Sequence, residues 1–251
     1  MFQNETCKAK ADTHFGLNFS VSPPNVLTMG SKNNALVVFS GGQDSTTCLA
    51  IAIRDCTRVE TVTFDYGQRH RIELEQARLI ANLAGSKKHH EIDMAWLGTL
   101  TENALTRPDI PITHLAGELP STFVAGRNLF FLSIAAVIAK QRDIQLIYTG
   151  VCETDFSGYP DCRHDFITSL NQTINIGMDC NIEIRTPLMN LNKSETVILM
   201  RKLGKLDWYA LSHTCYEGVR PACGSCPACK LRIKGFNDAG IPDPLEYNQS
   251  N

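Results

Sequence analysis

One junction constrains this chain more than any other stretch: the apolar run Ala35-Leu-Val-Val-Phe39 passes directly into Ser40-Gly-Gly-Gln-Asp-Ser-Thr-Thr47. The run is short, rich in β-branched residues and free of polar ones, so it reads as a buried strand. Residues 46–54 read as the first turns of a helix. A glycine pair between such elements lets the backbone turn tightly and bares N–H groups beside the positive end of the helix. That is a site for phosphate. A bare Gly-Gly would equally suit an ordinary strand-to-helix turn. The hydroxyls and the carboxylate in the same few residues favour phosphate, since they add phosphate contacts and a Mg²⁺ ligand.

No lysine lies between Ser40 and Thr47, so the turn is not a Walker-type P-loop. The pattern S-G-G-x-D-S instead resembles the PP-loop of the ATP-pyrophosphatase family. That resemblance implies cleavage of ATP between its α and β phosphates, with the loop holding the departing pyrophosphate. Its usual product is an adenylated substrate whose oxygen has become a good leaving group.

From Asn34 onward the hydrophobic pattern alternates between periods of 2 and 3.6. Strands are expected at 35–39, 59–65, 89–93, 144–149 and 182–185, and helices at 46–54, 71–83, 128–141, 165–175 and 193–203. This order argues for an α/β fold, a Rossmann-like parallel sheet with helices on both faces. Ligands of such sheets sit beyond the carboxyl ends of the strands. The expected organisation is an extension at 1–33, an ATP-binding domain at 34–206 and a small cysteine-bearing region at 207–251. The extension has mixed polarity, a Pro-Pro pair and no sustained period, and a disordered segment is expected there. A start-codon artefact, with Met29 the true beginning, and a targeting peptide are the other readings.

At 251 residues, 43% of them hydrophobic and 20% charged, the chain can bury one substantial core. A formal net charge of −2 gives no general reason to expect nucleic-acid binding. No apolar run approaches the roughly 20 residues that span a bilayer. The ten cysteines do not require a disulfide framework in a chain of this size. Four of them crowd at metal-ligand spacing, which favours reduced thiols and a cytoplasmic setting.

Several polar segments follow the strands. Asp65-Tyr-Gly-Gln-Arg-His70 is either a ligand loop or a solvated turn. Residues 98–121 hold several prolines and no clear element, as in an active-site lid or a flexible excursion. Arg127 in Val124-Ala-Gly-Arg-Asn128 is a solvated boundary residue or a phosphate ligand, since a guanidinium forks onto oxyanions. Glu153 and Asp155, after the fourth strand, could accept paired N–H bonds from the amidine-like edge of a guanine-type base. They could equally form a capping or Mg²⁺-binding loop. Asn192 or Ser194 could cap the last main helix, and Lys193 could stay at the surface or reach phosphate.

Cys215-x₇-Cys223-Gly-Ser-Cys226-Pro-Ala-Cys229 is the most specific metal signal. Four thiolates on one tight knuckle suit tetrahedral zinc in a structural site, because they leave no position open to water. An iron–sulfur cluster is the competitor. Zinc here would staple the tail to the sheet domain, and its removal should unfold the tail without touching the chemistry directly. Cys48 and Cys152 read as small core residues.

Taken together, Phe39-SGGQDSTTCL-Ala50, Thr63-FDYGQRHR-Ile72, Thr122-FVAGRN-Leu129, Thr149-GVCETDFSGYPDCR-His164, Thr186-PLMNLNKSET-Val197 and the tail Thr214-CYEG…CGSCPACKLR-Ile233 resemble the 7-cyano-7-deazaguanine synthase family of queuosine biosynthesis. The resemblance covers about residues 34–237. Ala125 departs from it, standing where the family's V-P-G-R-N has proline. It implies ATP-dependent conversion of a carboxylate, 7-carboxy-7-deazaguanine, to a nitrile with ammonia, in a homodimer that uses neither nucleic acid nor membrane. It also implies residue roles. Phe39, Ser40, Gly41, Gly42, Gln43, Asp44, Ser45, Thr46, Thr47, Cys48 and Leu49 would bind ATP, with Asp44 helping to hold Mg²⁺. Phe64 and Asp65 would lie near adenosine. Arg127 and Lys193 would stabilise developing negative charge. Tyr66, Gln68, Glu153 and Asp155 would recognise the base.

Two rivals use the same features. A PP-loop tRNA-thiolating enzyme would need a nucleic-acid surface and usually a catalytic cysteine pair. A nucleotide-sensing zinc protein would keep the loop and the cysteines without turnover.

Overall fold

The structure is a computed structural model and describes residues 33–113, 118–154 and 158–248. The expected extension at 1–33 lies outside these residues, apart from its last position.

Five parallel strands form one sheet: β1 (Asn34–Val38), β2 (Arg58–Asp65), β3 (His89–Asp93), β4 (Leu146–Tyr148) and β5 (Glu183–Arg185). Their spatial order is β3-β2-β1-β4-β5. The helices are α1 (Gln43–Asp55), α2 (Ile72–Leu83), α3 (Ala95–Leu100), α4 (Arg127–Gln141), α5 (His164–Met178), α6 (Lys193–Lys202) and α7 (Pro227–Ala239). The α/β class and the parallel sheet read from the sequence are those observed. The described residues all belong to one compact unit.

Strand alternation divides the core in two. Leu36, Val62, Phe64, Ile147 and Ile184 point to the face covered by α3, α4 and α5. Ala35, Val37, Phe39, Leu146 and Tyr148 point to the other face, under α1, α2, α6 and α7. β1 is buried on both sides, hence its unbroken apolar run.

Three differences from the sequence expectations have physical causes. First, α1 begins at Gln43, three residues earlier than expected, because Gly42 already serves as its N-cap. The polar residues that masked the period there form the helix's first turn. Second, α3 lies partly within the proline-bearing stretch expected to hold no element; at 6 residues it is too short to show a period. Third, α7 occupies the cysteine-bearing region, where Pro227 sits in its first turn.

The chain leaves β1 toward β2 on one side and returns on the other side as β4. A crevice must therefore open between the carboxyl ends of β1 and β4.

Candidate active site

That crevice is a cavity of about 310 Å³, and the Ser40–Thr47 turn forms one wall. Gly41 has φ +78, and a Cβ there would lie 2.8 Å from both the Ala77 nitrogen and the Glu73 carbonyl oxygen, so only glycine fits. No side chain caps α1 from Gly42. The N–H groups of the first helical turn are left for another acceptor. Hydroxyls brace the turn from within: Ser45 Oγ donates to the Gly42 carbonyl at 3.1 Å, and Thr46 Oγ1 to the same oxygen at 2.8 Å. Thr47 Oγ1 donates to the Gln43 carbonyl and meets the Tyr209 hydroxyl at 2.5 Å. Gly150, at the end of β4, lets the two strand ends close up; a Cβ there would stand 3.0 Å from the Ser45 nitrogen.

The second wall comes from α6. Asn192 and Glu195 form a reciprocal capping box, which fixes where the helix starts and therefore where Lys193 points. Lys193 Nζ donates to Asp44 Oδ2 at 2.6 Å, while Asp44 Oδ1 is buried without a partner. Gly235 of α7 sets this helix from behind, since a Cβ there would stand 2.5 Å from Lys193 Cβ.

The opposite wall is aromatic and carries one cation. Phe64 and Phe131 stack at 4.1 Å, and Tyr66 tilts against Phe131. The Arg127 guanidinium sits 5.6 Å from the centre of the Tyr159 ring. Burial opposes its charge, but Tyr66, Tyr159 and Asp161 outweigh that and push its pKa up, so the charge persists. Burial also raises the Tyr66 and Tyr216 hydroxyls, which stay neutral donors. Asp161 Oδ2 accepts from the Asn128 N–H at 3.1 Å, tying the start of α4 to the loop after β4.

The four cysteines lie behind these walls. The sulfurs of Cys215, Cys223, Cys226 and Cys229 fall within 4.8 Å of one another. Backbone N–H groups of Cys223, Cys226 and Cys229 point at the sulfurs of Cys215, Cys223 and Cys226 in turn. The Cys226 and Cys229 thiols lower the pKa of Cys215. Convergent sulfurs with backbone donors aimed at them suit one cation held by thiolates.

Comparisons with known proteins show the family. A family model described as "Queuosine biosynthesis protein QueC" matches residues 34–240. The chain belongs to this family. It is 55% identical over 209 residues to the 7-cyano-7-deazaguanine synthase of Bacillus subtilis (strain 168), covering 82% of this chain and 95% of that one. Among solved structures it is similar to a 4-thiouridine synthetase described in a complex with RNA and bound ATP. That likeness has a TM-score of 0.50 and 20% identity, and covers 83% of this chain and 51% of the other. At that identity it shows the fold alone.

In this QueC-family chain, Phe39, Ser40, Gly42, Gln43, Asp44, Ser45, Phe64, Tyr66, Arg127 and Lys193 line the cavity together. Gly41, Thr46, Thr47, Cys48, Leu49, Asp65, Gln68 and Glu153 do not line it. Gly41 packs its backbone on α2, and the Thr46 and Thr47 hydroxyls are bonded within α1. Cys48 and Leu49 are core, and burial pushes the Cys48 thiol well up, as befits an inert packing residue. Gln68 accepts from the Tyr66 N–H and donates to the Phe64 carbonyl and to Glu73, so it shapes the turn from inside. Asp65 pairs with Arg71. Glu153 is exposed, with its N–H on the Met189 carbonyl. Asp155 lies outside the described residues.

Glu73, Tyr159, Tyr216, His213 and Thr214 line the cavity without having been singled out in the sequence. Glu73 sits in a helical period and Tyr159 in a turn, and neither pattern marks a ligand. Tyr216 and its neighbours lay in the shadow of the cysteine motif. No helix of the described residues is long and apolar enough to cross a membrane.

Proposed function

We propose that this chain is a 7-cyano-7-deazaguanine synthase, converting 7-carboxy-7-deazaguanine and ammonia to the nitrile at the expense of ATP. One observation carries the reading. Among the described residues, seven of the nine buried side-chain polar atoms without a hydrogen-bond partner belong to residues lining this one cavity. Each such atom costs about 1–3 kcal/mol when left unpaired, so their convergence marks a site built for a polar ligand.

The residues fit the groups the reaction needs. The uncapped N-terminus of α1 and the Ser40–Gly42 backbone suit the phosphates of ATP, and Asp44 Oδ1 suits a hard cation, which we assign as Mg²⁺. The cation would neutralise phosphate charge. The four cysteines suit one structural Zn²⁺.

A carboxylate is a poor electrophile. Its oxygen attacks the α phosphorus, pyrophosphate leaves, and ammonia then displaces AMP, losing a proton to give the amide. Repeating the activation on the amide oxygen lets AMP carry that oxygen away while nitrogen loses its protons, forming the nitrile. Lys193 and Arg127 face the cavity from opposite walls and stabilise negative charge at the transferring phosphorus and the departing oxygens. Tyr66 and the aromatic wall provide an apolar surface for the deazaguanine ring. The thiolating alternative would need a catalytic cysteine pair; Cys152 and Cys162 do line the cavity, but burial pushes the Cys162 thiol up to about 12, which does not suit a nucleophile.

Incubation of the protein with ATP, Mg²⁺, ammonium and 7-carboxy-7-deazaguanine tests this. Nitrile with matching AMP is the expected result. Nitrile with ADP would keep the function and overturn the phosphate chemistry. No change in base or nucleotide, with metal-replete protein, would sink the synthase reading.

A further inference from the structure

The cysteine segment does more than fasten the tail, because it delivers two residues to the phosphate turn. The His213 N–H donates to the Gly41 carbonyl at 3.0 Å, so the segment is bonded directly to the turn. A Cβ at Gly42 would lie 3.5 Å from Thr214 Cγ2 and 3.7 Å from the His213 carbonyl oxygen, which places both residues over the glycine pair. His213 is 1% exposed and its ring lies against the Cys215 thiol without a hydrogen bond of normal geometry, while the buried Thr214 hydroxyl has no partner at all. Both residues line the cavity, as do Gln43 and Asp44, whose side chains carry the other unpaired atoms on this side.

Neighbours hold the pair rigidly. Cys215 is the next residue and belongs to the cysteine cluster. On the other side Ser212 accepts from Arg232 Nη1 at 2.7 Å. Arg232 is 1% exposed, donates to the Tyr209 carbonyl and forks onto Asp243 with two bonds of 2.8 Å. Tyr209 in turn meets Thr47 of α1. The Thr214 hydroxyl, held this firmly, makes no hydrogen bond in the protein. A buried donor kept unpaired by rigid surroundings is what a preorganised ligand contact requires.

We propose that His213 and Thr214 are binding residues for the phosphates of the nucleotide, donating hydrogen bonds to an oxyanion seated on the Ser40–Ser45 turn. The proposal rests on the ATP-binding reading above and adds the cysteine segment as a further wall of that site. The role uses one ring N–H and one hydroxyl as donors. Metal binding at the adjacent cysteines therefore helps shape nucleotide affinity.

The test is equilibrium binding of pyrophosphate and of ATP to the metal-loaded protein, measured by calorimetry for wild type, Thr214→Val and His213→Phe. Both substitutions keep shape and remove donors, and bound zinc and melting temperature are measured for each. Pyrophosphate affinity should fall about ten-fold or more in each variant, as for a lost hydrogen bond to a charged group. Bound zinc should be unchanged, and the KM for ATP should rise while the KM for the base stays constant. Wild-type affinity for pyrophosphate in Thr214→Val, the closer isostere, would overturn the proposal even if His213→Phe failed to fold. If wild type itself bound neither ATP nor pyrophosphate, the nucleotide reading would fall, and this proposal with it.

Discussion

The two ends of the sheet treat a carboxylate in opposite ways. At the carboxyl end, Asp44 has Lys193 on one oxygen and nothing on the other. Near the amino end, Glu60 on β2 has a fully buried side chain and is saturated, held by Arg58, His90 and Arg142. Burial works to raise the Glu60 pKa, but hydrogen bonds from Arg142, His90 and Arg58 outweigh it and bring it down to about 2. The Glu60 cluster joins β2, β3 and the end of α4, and it is complete without any ligand. The Asp44 end is incomplete by construction. Stability resides where polar groups are satisfied, and function where they are left waiting.

Substitution at each end should separate the two roles. Asp44→Asn should lower kcat/KM by about 10²–10³-fold, since it removes the charge facing the reacting phosphates, and should change the melting temperature little. Steady-state rates paired with thermal scans would show this; a large loss of stability with normal turnover would reverse the comparison. Glu60→Ala should do the converse, costing about 3 kcal/mol in a denaturant titration by leaving Arg58, His90 and Arg142 without their shared acceptor, with normal turnover per folded molecule.

Acid should find Glu60 without any mutation. Its folded pKa lies below the ordinary 4.5, so its contribution is present above about pH 4.5 and is lost as pH falls toward 2. With Arg58 and Arg142 partly exposed and screened, about 2 kcal/mol should disappear across that window, and Glu60→Gln should flatten this part of the stability–pH curve. The smallest effect belongs to an ion pair at neither end of this contrast. Arg78 and Glu91 are about half exposed, and Arg78→Ala should shift stability by no more than about 0.5 kcal/mol in the same titration.

The sequence made the sheet legible because each strand carries its own signal. His89–Asp93 was bounded correctly, and α6 begins at the expected Lys193 with Asn192 as its cap. The phosphate turn was legible for the same reason, since glycines, hydroxyls and a carboxylate are contiguous. Residues whose meaning depends on distant partners were not. Gln68 looked available for a ligand, and its amide is spent on Phe64, Tyr66 and Glu73. His213 was not singled out beside the metal motif, and the residue stands buried over the turn, 172 residues along the chain from Gly41.

Local patterning alone determined the strand–helix order, the tight turn after β1 and the four clustered cysteines, because each depends on residues a few positions apart. Only the tertiary structure decided that Lys193 meets Asp44, that Arg127 faces them across one cavity, and that the cysteine segment closes over the glycine pair. Those juxtapositions join residues far apart in sequence. They follow from sheet order and helix packing, to which no single stretch of chain has access.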